Sequence, residues 1–494
     1  MEVRQELTGW LQVDQPAIWL STRDERAALR LLELVGSDLN TPRALITWRP
    51  GEGLSGLESP SPLRPLAQAL AAIRGARGRY LLALVGPDLE DADLIRVLRD
   101  HLRARNPLTQ DAITPVVVIG PNRGIPETLQ GYFIELALPP ATPADLESAL
   151  KAALRRYRDL WNGEPNCPSD VRPQLLKAVS GLADEEAERV FLKVMSVHGV
   201  LGEAQISSLQ VEKCRLLLTH PLITQEEQTG NLDLIGGLGT FKDWVRRRAR
   251  AAQDPWGPHP QVRGALLVGL PGCGQSAAVR AATAAWGLPL LRLDGAQLGL
   301  EGACTTTQLA DLLYHLELAS PVVLWLFRLD QAFVHRGEEG GRALTPAALM
   351  MEQWLLNRKR RTIVMATASE PERLPMDVVV RGCFDETFLL DFPNSEERRH
   401  IFRITLERRG LKPEDLNLEM LIAASDGFSG AQIAQSIDRG MIEGLDHGRT
   451  LKMVDLLQSL RHSPPMAATL AEHRRRIRTW AHRRAVSASP QRDG

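Results

Sequence analysis

The residues with the clearest chemical purpose form one loop, Gly269-Leu-Pro-Gly-Cys-Gly-Gln-Ser276. Glycines at 269, 272 and 274 let successive backbone N–H groups converge on an anion, and a helix starting behind them adds partial positive charge. Ser276 is the hydroxyl that such loops place on a magnesium ion, with Pro271, Cys273 and Ala277 completing the cradle. The position before Ser276 normally carries a lysine that reaches the β- and γ-phosphates; here it is Gln275. The loop therefore reads as a phosphate-binding loop lacking one charge. The competing reading is an ordinary glycine-rich turn between a strand and a helix.

The flanking elements suit the first reading. An apolar run, Ala265 to Gly269, precedes the loop and a helical pattern follows it from Ala277 to Trp286. Further buried-strand patterns lie at Leu288 to Leu293, Val322 to Phe327, Arg361 to Ala368 and Thr387 to Asp391, each flanked by helical stretches. This predicts a parallel α/β sheet with the glycine loop after its first strand, followed by helices alone from 394 to about 460. Upstream, Ala17–Ser21, Ala44–Trp48, Tyr80–Val85, Val116–Ile119 and Phe133–Leu138 predict a second α/β sheet within residues 1–160. None of its strands feeds a glycine loop; the first runs into Thr22-Arg-Asp-Glu25, a helix cap and a charged first turn. It is expected to fold without a nucleotide site. Between the sheets, 161–230 read as a helical connector behind a polar, proline-rich linker, and 461–494 as a basic tail.

Composition narrows the class. With 494 residues the chain is long enough for two to four domains, and its formal net charge of −1 argues against a global field for nucleic acid or membrane. Five scattered cysteines show neither metal-ligand spacing nor a disulfide framework, which suits a reducing compartment, the cytoplasm. No apolar run approaches the roughly 20 residues of a membrane span. Arginine outnumbers lysine several-fold, a compositional hint of a bacterial, GC-rich genome.

Several motifs in order resemble one family. Leu234-Ile-Gly-Gly-Leu238, the glycine loop, Pro321 to Leu326, Phe384-Asp-Glu386, Leu390 to Asn394 and Gly427 to Ile433 resemble an AAA+ lineage, the hypothetical chloroplast open reading frame forty-six family of cyanobacteria and algal plastids. The resemblance covers the whole chain, including the first sheet and the tail around Met466 to Trp480. It implies an AAA+ core at 231–393 and a helical lid at 394–460. It also implies ATP or ADP bound by the loop, by Ile235-Gly236 and by the Gly430-Ala431 step.

Where the family is catalytic, this chain departs from it. The strand ending at Leu326 is followed in the family by Asp-Glu, for magnesium and for activating water; here Phe327 and Arg328 follow, and only Asp330 matches. Ser369 replaces a sensor residue that is usually Asn. Val380 and Cys383 stand where the family has trans-acting arginines, with Arg381 displaced by one, and the pore-facing loop Leu298 to Gly302 has no aromatic. Phosphoryl transfer needs positioning plus charge neutralisation. The expectation is weak ATP or ADP binding, doubtful need of Mg²⁺, and a regulator or scaffold in an oligomer or hetero-oligomer with a paralogous AAA+ protein. Arg328 is the candidate substitute cation. The alternative is an active ATPase that remodels a protein partner, tied through the resemblance to photosynthesis or carbon metabolism. Nucleic-acid binding through Arg246 to Arg250 and His473 to Arg484 is the less favoured third reading.

Overall fold

The computed structural model describes residues 2–490 except 23, 58–63, 77, 88–90, 104–113, 121–124, 139–140, 164, 219, 228–229, 254–259, 301, 334–343, 359–361 and 381. Arg381 and Glu301 of the pore-facing loop therefore lie outside the described residues. The chain forms two compact units, Met1–Lys151 with Ser180–Glu188, and Ala152–Val179 with Arg189–Gly494.

In the first unit, β1 (Ala17–Ser21), β2 (Ala44–Arg49), β3 (Gly53–Ser55), β4 (Tyr80–Val85), β5 (Val116–Gly120) and β6 (Phe133–Ala137) form a sheet in the order β3-β2-β4-β5-β1-β6. Pairing is parallel throughout except for β3, a short edge strand antiparallel to β2. β1 and β5 are buried along their whole length, as their unbroken apolar runs predict. One face packs on Trp19, Trp48, Leu70, Leu82 and Leu98, the other on Ile18, Leu32, Leu81 and Ile119.

The second unit holds β7 (Ile223–Glu226), β8 (Gly264–Gly269), β9 (Leu290–Asp294), β10 (Val323–Phe327), β11 (Ile363–Ala368), β12 (Glu386–Leu390) and β13 (Val486–Ser487). Their order is β13-β12-β8-β11-β10-β9-β7. The five strands anticipated from sequence are its parallel centre. The two edges were not anticipated. β7 closes one side antiparallel to β9, so the segment expected to be a helical connector ends in a strand of this sheet. β13, from the basic tail, extends the other side parallel to β12. Both are too short to show a periodicity of their own.

Helices follow the sheet, as predicted. Ser395–Arg408, Leu418–Ala424, Gly430–Asp446 and Met453–Arg461 pack around Phe402, Leu421, Phe428, Ile437 and Leu456. Asn394 and Ser429 cap the first and third of these with reciprocal bonds to Glu397 and Gln432.

Candidate nucleotide site

The glycine loop leaves β8 at Gly269 and enters the Gln275–Trp286 helix. Gly272 has φ of 83°, and a Cβ there would stand 2.9 Å from Ser429 Oγ and 3.2 Å from Ala431 Cβ. Only glycine lets the loop pass this close to the lid. The contact is a bonded one: Ala431 N–H donates to the Gly272 carbonyl at 3.2 Å. Gly274 precedes the helix and supplies no side-chain cap, so the first-turn N–H groups of Gln275, Ser276 and Ala277 open onto a cavity.

That cavity measures about 370 Å³. Leu234, Ile235, Gly236 and Leu238 form one wall, and Ile401, Ile404 and Ala434 of the lid form another. Gly236 is required there, because a Cβ would lie 2.4 Å from Ile401 Cγ1. Lys242 Nζ donates to the Ile235 carbonyl at 2.6 Å and fixes this turn. An apolar slot of this kind, next to a run of open backbone N–H groups, suits a flat base joined to phosphates.

Ten of the sequence-derived binding residues line the cavity together: Ile235, Gly236, Gly272, Cys273, Gly274, Gln275, Ser276, Ala277, Gly430 and Ala431. Gly269 and Pro271 do not; Gly269 packs against the Leu390 carbonyl, and Pro271 is exposed. The Cys273 thiol is pushed up to about 12, by burial first and by the neighbouring Asp391 second, so it stays protonated.

The Gln275 side chain is turned to the backbone. Its amide nitrogen donates to three backbone carbonyls, those of Leu267 at 3.1 Å, Gly269 at 3.3 Å and Ala368 at 3.0 Å. The side chain expected to offer the phosphates a neutral hydrogen bond instead braces the ends of β8 and β11.

The remaining sequence-derived positions lie outside the cavity lining. Phe327 ends β10 with its ring beneath two guanidinium groups, Arg292 at 4.1 Å and Arg328 at 4.9 Å. Arg328 has a left-handed backbone, φ 52°, and its Nη2 lies 2.7 Å from Asp294 Oδ2. Expected as a free cation for the γ-phosphate, it is already paired with a carboxylate of β9. Ser369 follows β11, and its carbonyl oxygen lies 2.9 Å from His473 Nε2. Cys383 is 1% exposed, its carbonyl accepting from Arg358, whereas Val380 is 67% exposed. Asp330 is buried, with Oδ2 accepting from Glu370 N–H at 3.0 Å; burial raises its pKa.

Of the lining residues that sequence reasoning missed, five are polar or charged: Asp391, Glu397, Thr405, Arg408 and Ser489. Ser489 comes from the tail, where Ala488 N–H donates to Leu389 O at 2.9 Å and Ala488 O accepts from Phe241 N–H at 3.1 Å. Its hydroxyl bonds the Glu397 carboxylate. Asp391 receives Arg474 Nε at 2.7 Å and Arg478 Nε at 2.6 Å, so two arginines of the basic tail are engaged within the chain. Of the other basic run, Arg246 pairs with Asp233, and Arg248 stacks on Trp244. Asp391 alone offered a signal in sequence, since it ends a predicted strand at the phosphate side of the sheet.

A glycine loop between the first sheet strand and a helix, bonded to a helical lid across a base-sized slot, defines an AAA-class nucleotide-binding module. Residues 265–392 match the model of the ATPase family associated with various cellular activities (AAA). Residues 3–138 and 144–218 match the N-terminal and second domains of SpoVK-like AAA ATPases. Over nearly its full length the chain is similar to ycf46 proteins. It is 27% identical to the uncharacterized AAA domain-containing protein ycf46 of Trieres chinensis and 28% identical to that of Pyropia yezoensis. These alignments cover 97% of this chain and 97% and 98% of the relatives. Similarity to the ATP-dependent zinc metalloprotease FtsH of Rhodothermus marinus is confined to 206 residues, at 26% identity, covering 40% of this chain and 29% of that protein.

Proposed function

We propose that this protein binds ATP or ADP weakly and hydrolyses ATP very slowly or not at all. In this reading it acts as a regulatory or scaffold subunit, in an oligomer or a hetero-oligomer with a catalytically competent paralogous AAA+ protein. One observation carries the proposal. At the C-terminal edge of the AAA sheet, the side chains at three positions that hydrolysis would need charged or free are turned to other partners. Gln275 binds three carbonyls, Phe327 lies under Arg292, and Arg328 is held by Asp294. At these three positions no side chain is in place for charge neutralisation or water activation, the main sources of rate in phosphoryl transfer.

The residues present do not fit a magnesium ion. Such a site needs one or two carboxylates beside the phosphates, and Ser276 has none following β10, where Phe327 and Arg328 stand. Of the nearby acids, Asp391 and Asp294 are ion-paired with arginines, and Asp330 is buried. Among the described residues no group of three or more His, Cys, Asp or Glu side chains is arranged to hold a metal. Nucleotide binding is therefore expected to persist in EDTA. Assembly is supported by exposed apolar side chains at Met376 and Val380 and, on the lid, at Ile442 and Leu445. Among the described residues no helix is long and apolar enough to cross a membrane. We place the protein in the cytoplasm because its cysteines show no disulfide framework.

A steady-state ATPase assay of the purified chain, alone and with a lysine-bearing paralogue, tests this. Turnover of the isolated chain is expected to be at background. Gln275→Lys is expected to stay there, because Phe327 and Arg328 still end β10. Turnover of about 1 s⁻¹, within the ordinary range for enzymes, would establish the active-remodeller reading instead.

A further inference from the structure

The Ala471–Ala481 helix lies across the phosphate side of the AAA sheet. Its buried residues Ile477 and Ala481 anchor it, and β13 fixes the chain beyond it to β12. From this helix His473 meets the Ser369 carbonyl that follows β11, and Arg474 and Arg478 meet Asp391 that follows β12. Asp391 lines the nucleotide cavity beside Cys273.

A carboxylate in the wall of a polyanion site is unfavourable unless it is neutralised. Burial alone would raise the Asp391 pKa, but hydrogen bonds from Arg474, from the Phe392 N–H and from Arg478 outweigh it and keep the group ionised. Two guanidinium groups serve this one carboxylate, one more than neutralisation requires. This cluster of Asp391, Arg474 and Arg478 therefore carries one surplus positive charge, beside a cavity that the Glu397 carboxylate also lines and close to a loop whose own lysine position holds an inward-turned glutamine. The two arginines are not equivalent. Arg474 is the one whose charge reaches the Cys273 thiol of the loop, lowering its pKa against the effect of Asp391. Its guanidinium stands 5.3 Å from the Phe392 ring centroid and its side chain is 31% exposed, whereas Arg478 is 56% exposed. If Arg474 leaves, Arg478 still pairs Asp391, so no buried charge is stranded.

We infer that Arg474 is the phosphate-side cation of this site: it rests on Asp391 and turns to the phosphates when an adenine nucleotide binds, supplying from the C-terminal helix the charge that Gln275 lacks. The inference rests on the nucleotide reading above. Arg474 is on this account a binding and specificity residue that distinguishes di- and triphosphates from the bare nucleoside.

The test is calorimetric titration of the full chain with ATP, ADP and adenosine, for the wild type and for Arg474→Gln, Arg474→Lys, Arg478→Gln and Asp391→Asn. Arg474→Gln should weaken ATP and ADP about tenfold or more, as loss of a charge-assisted bond does, and leave adenosine unchanged. Arg474→Lys should retain most of the ATP affinity, and Arg478→Gln should change it less than threefold. Asp391→Asn, which frees Arg474 and removes the opposing charge, should tighten ATP several-fold; this variant decides the matter if Arg474→Gln does not fold. Equal weakening of ATP and adenosine by Arg474→Gln would make Arg474 a structural brace and overturn the inference, as would unchanged ATP affinity or an Asp391→Asn variant that binds ATP no better. A wild-type chain that binds adenosine and ATP equally would overturn this inference alone. One that binds none of the three ligands would overturn the nucleotide reading and this inference with it.

Discussion

The two sheets of this protein share one strand order and differ at one turn. Counting the parallel strands in chain order and setting aside the two-residue edge strand β13, the first sheet runs second-third-fourth-first-fifth (β2-β4-β5-β1-β6), and the AAA sheet runs the same way (β9-β10-β11-β8-β12). The first strand of each, β1 and β8, leads directly into a helix at the same edge. After β8 come Gly272 and Gly274, both with left-handed backbone, and a helix whose start has no side-chain cap. After β1, Thr22 Oγ1 accepts from Asp24 N–H at 3.0 Å, and Asp24 caps the Glu25–Asp38 helix by accepting from Ala27 N–H at 2.8 Å. The first sheet fills its helix N-terminus with its own carboxylate. The second leaves the equivalent place open. A common topology thus provides a helix end that is either capped or available to an external anion, and a few side chains decide which.

The largest test converts one turn into the other. Gly274→Asp places a carboxylate at the open helix start, in a backbone conformation that Asp tolerates better than most residues. ATP affinity should fall by about 100-fold or more, close to 3 kcal/mol. Calorimetry showing less than a tenfold loss would break the comparison.

A second difference is the pH response of each sheet, readable by hydrogen exchange resolved to individual strands of the full chain. Lys213 is fully buried against the Ser320 carbonyl, just before β10, and its pKa is lowered to about 8 by burial. The unfolded chain, with a pKa near 10.5, binds the extra proton across that interval. The stability contribution of Lys213 is therefore present above 10.5 and lost as pH falls through 8. Cys214, pushed up to about 12 by burial, acts oppositely above its unfolded value of 9.0. Protection of β10 should accordingly rise by about 1 kcal/mol between pH 8 and 9, and Lys213→Met should abolish the rise.

In the first unit, Asp24→Ala removes a cap and should cost about 1 kcal/mol in protection of β1 and its following helix. It should create no nucleotide site, since no glycine loop precedes that helix. ATP binding that appeared in this variant would show that the cap alone had excluded it. The smallest effect expected is at His101, whose pKa is lowered by burial and then by Arg74. Its contribution is present above the unfolded value of 6.5 and lost as pH falls below it, so the first sheet should loosen in mild acid. His101→Phe should flatten that dependence.

The sequence by itself determined the five central parallel strands of each sheet, the place of the glycine loop, the lid and about half of the pocket lining. The reason is local: continuous apolar runs require burial on both faces, and a glycine loop between strand and helix admits few conformations. It also located the residues, Gln275, Phe327 and Arg328, that depart from the pattern the chain resembles. Only the tertiary structure decided where those substitutes point. Gln275 turning to three carbonyls, Arg328 to Asp294 and the tail arginines to Asp391 depend on groups 6 to 93, 34 and 83 to 87 residues away. A long polar side chain takes whichever partner the fold brings within about 3 Å, and no periodicity encodes that distance. The same holds for β7 and β13. Strands of four and two residues have no pattern of their own, and they exist because a sheet edge offers them backbone partners.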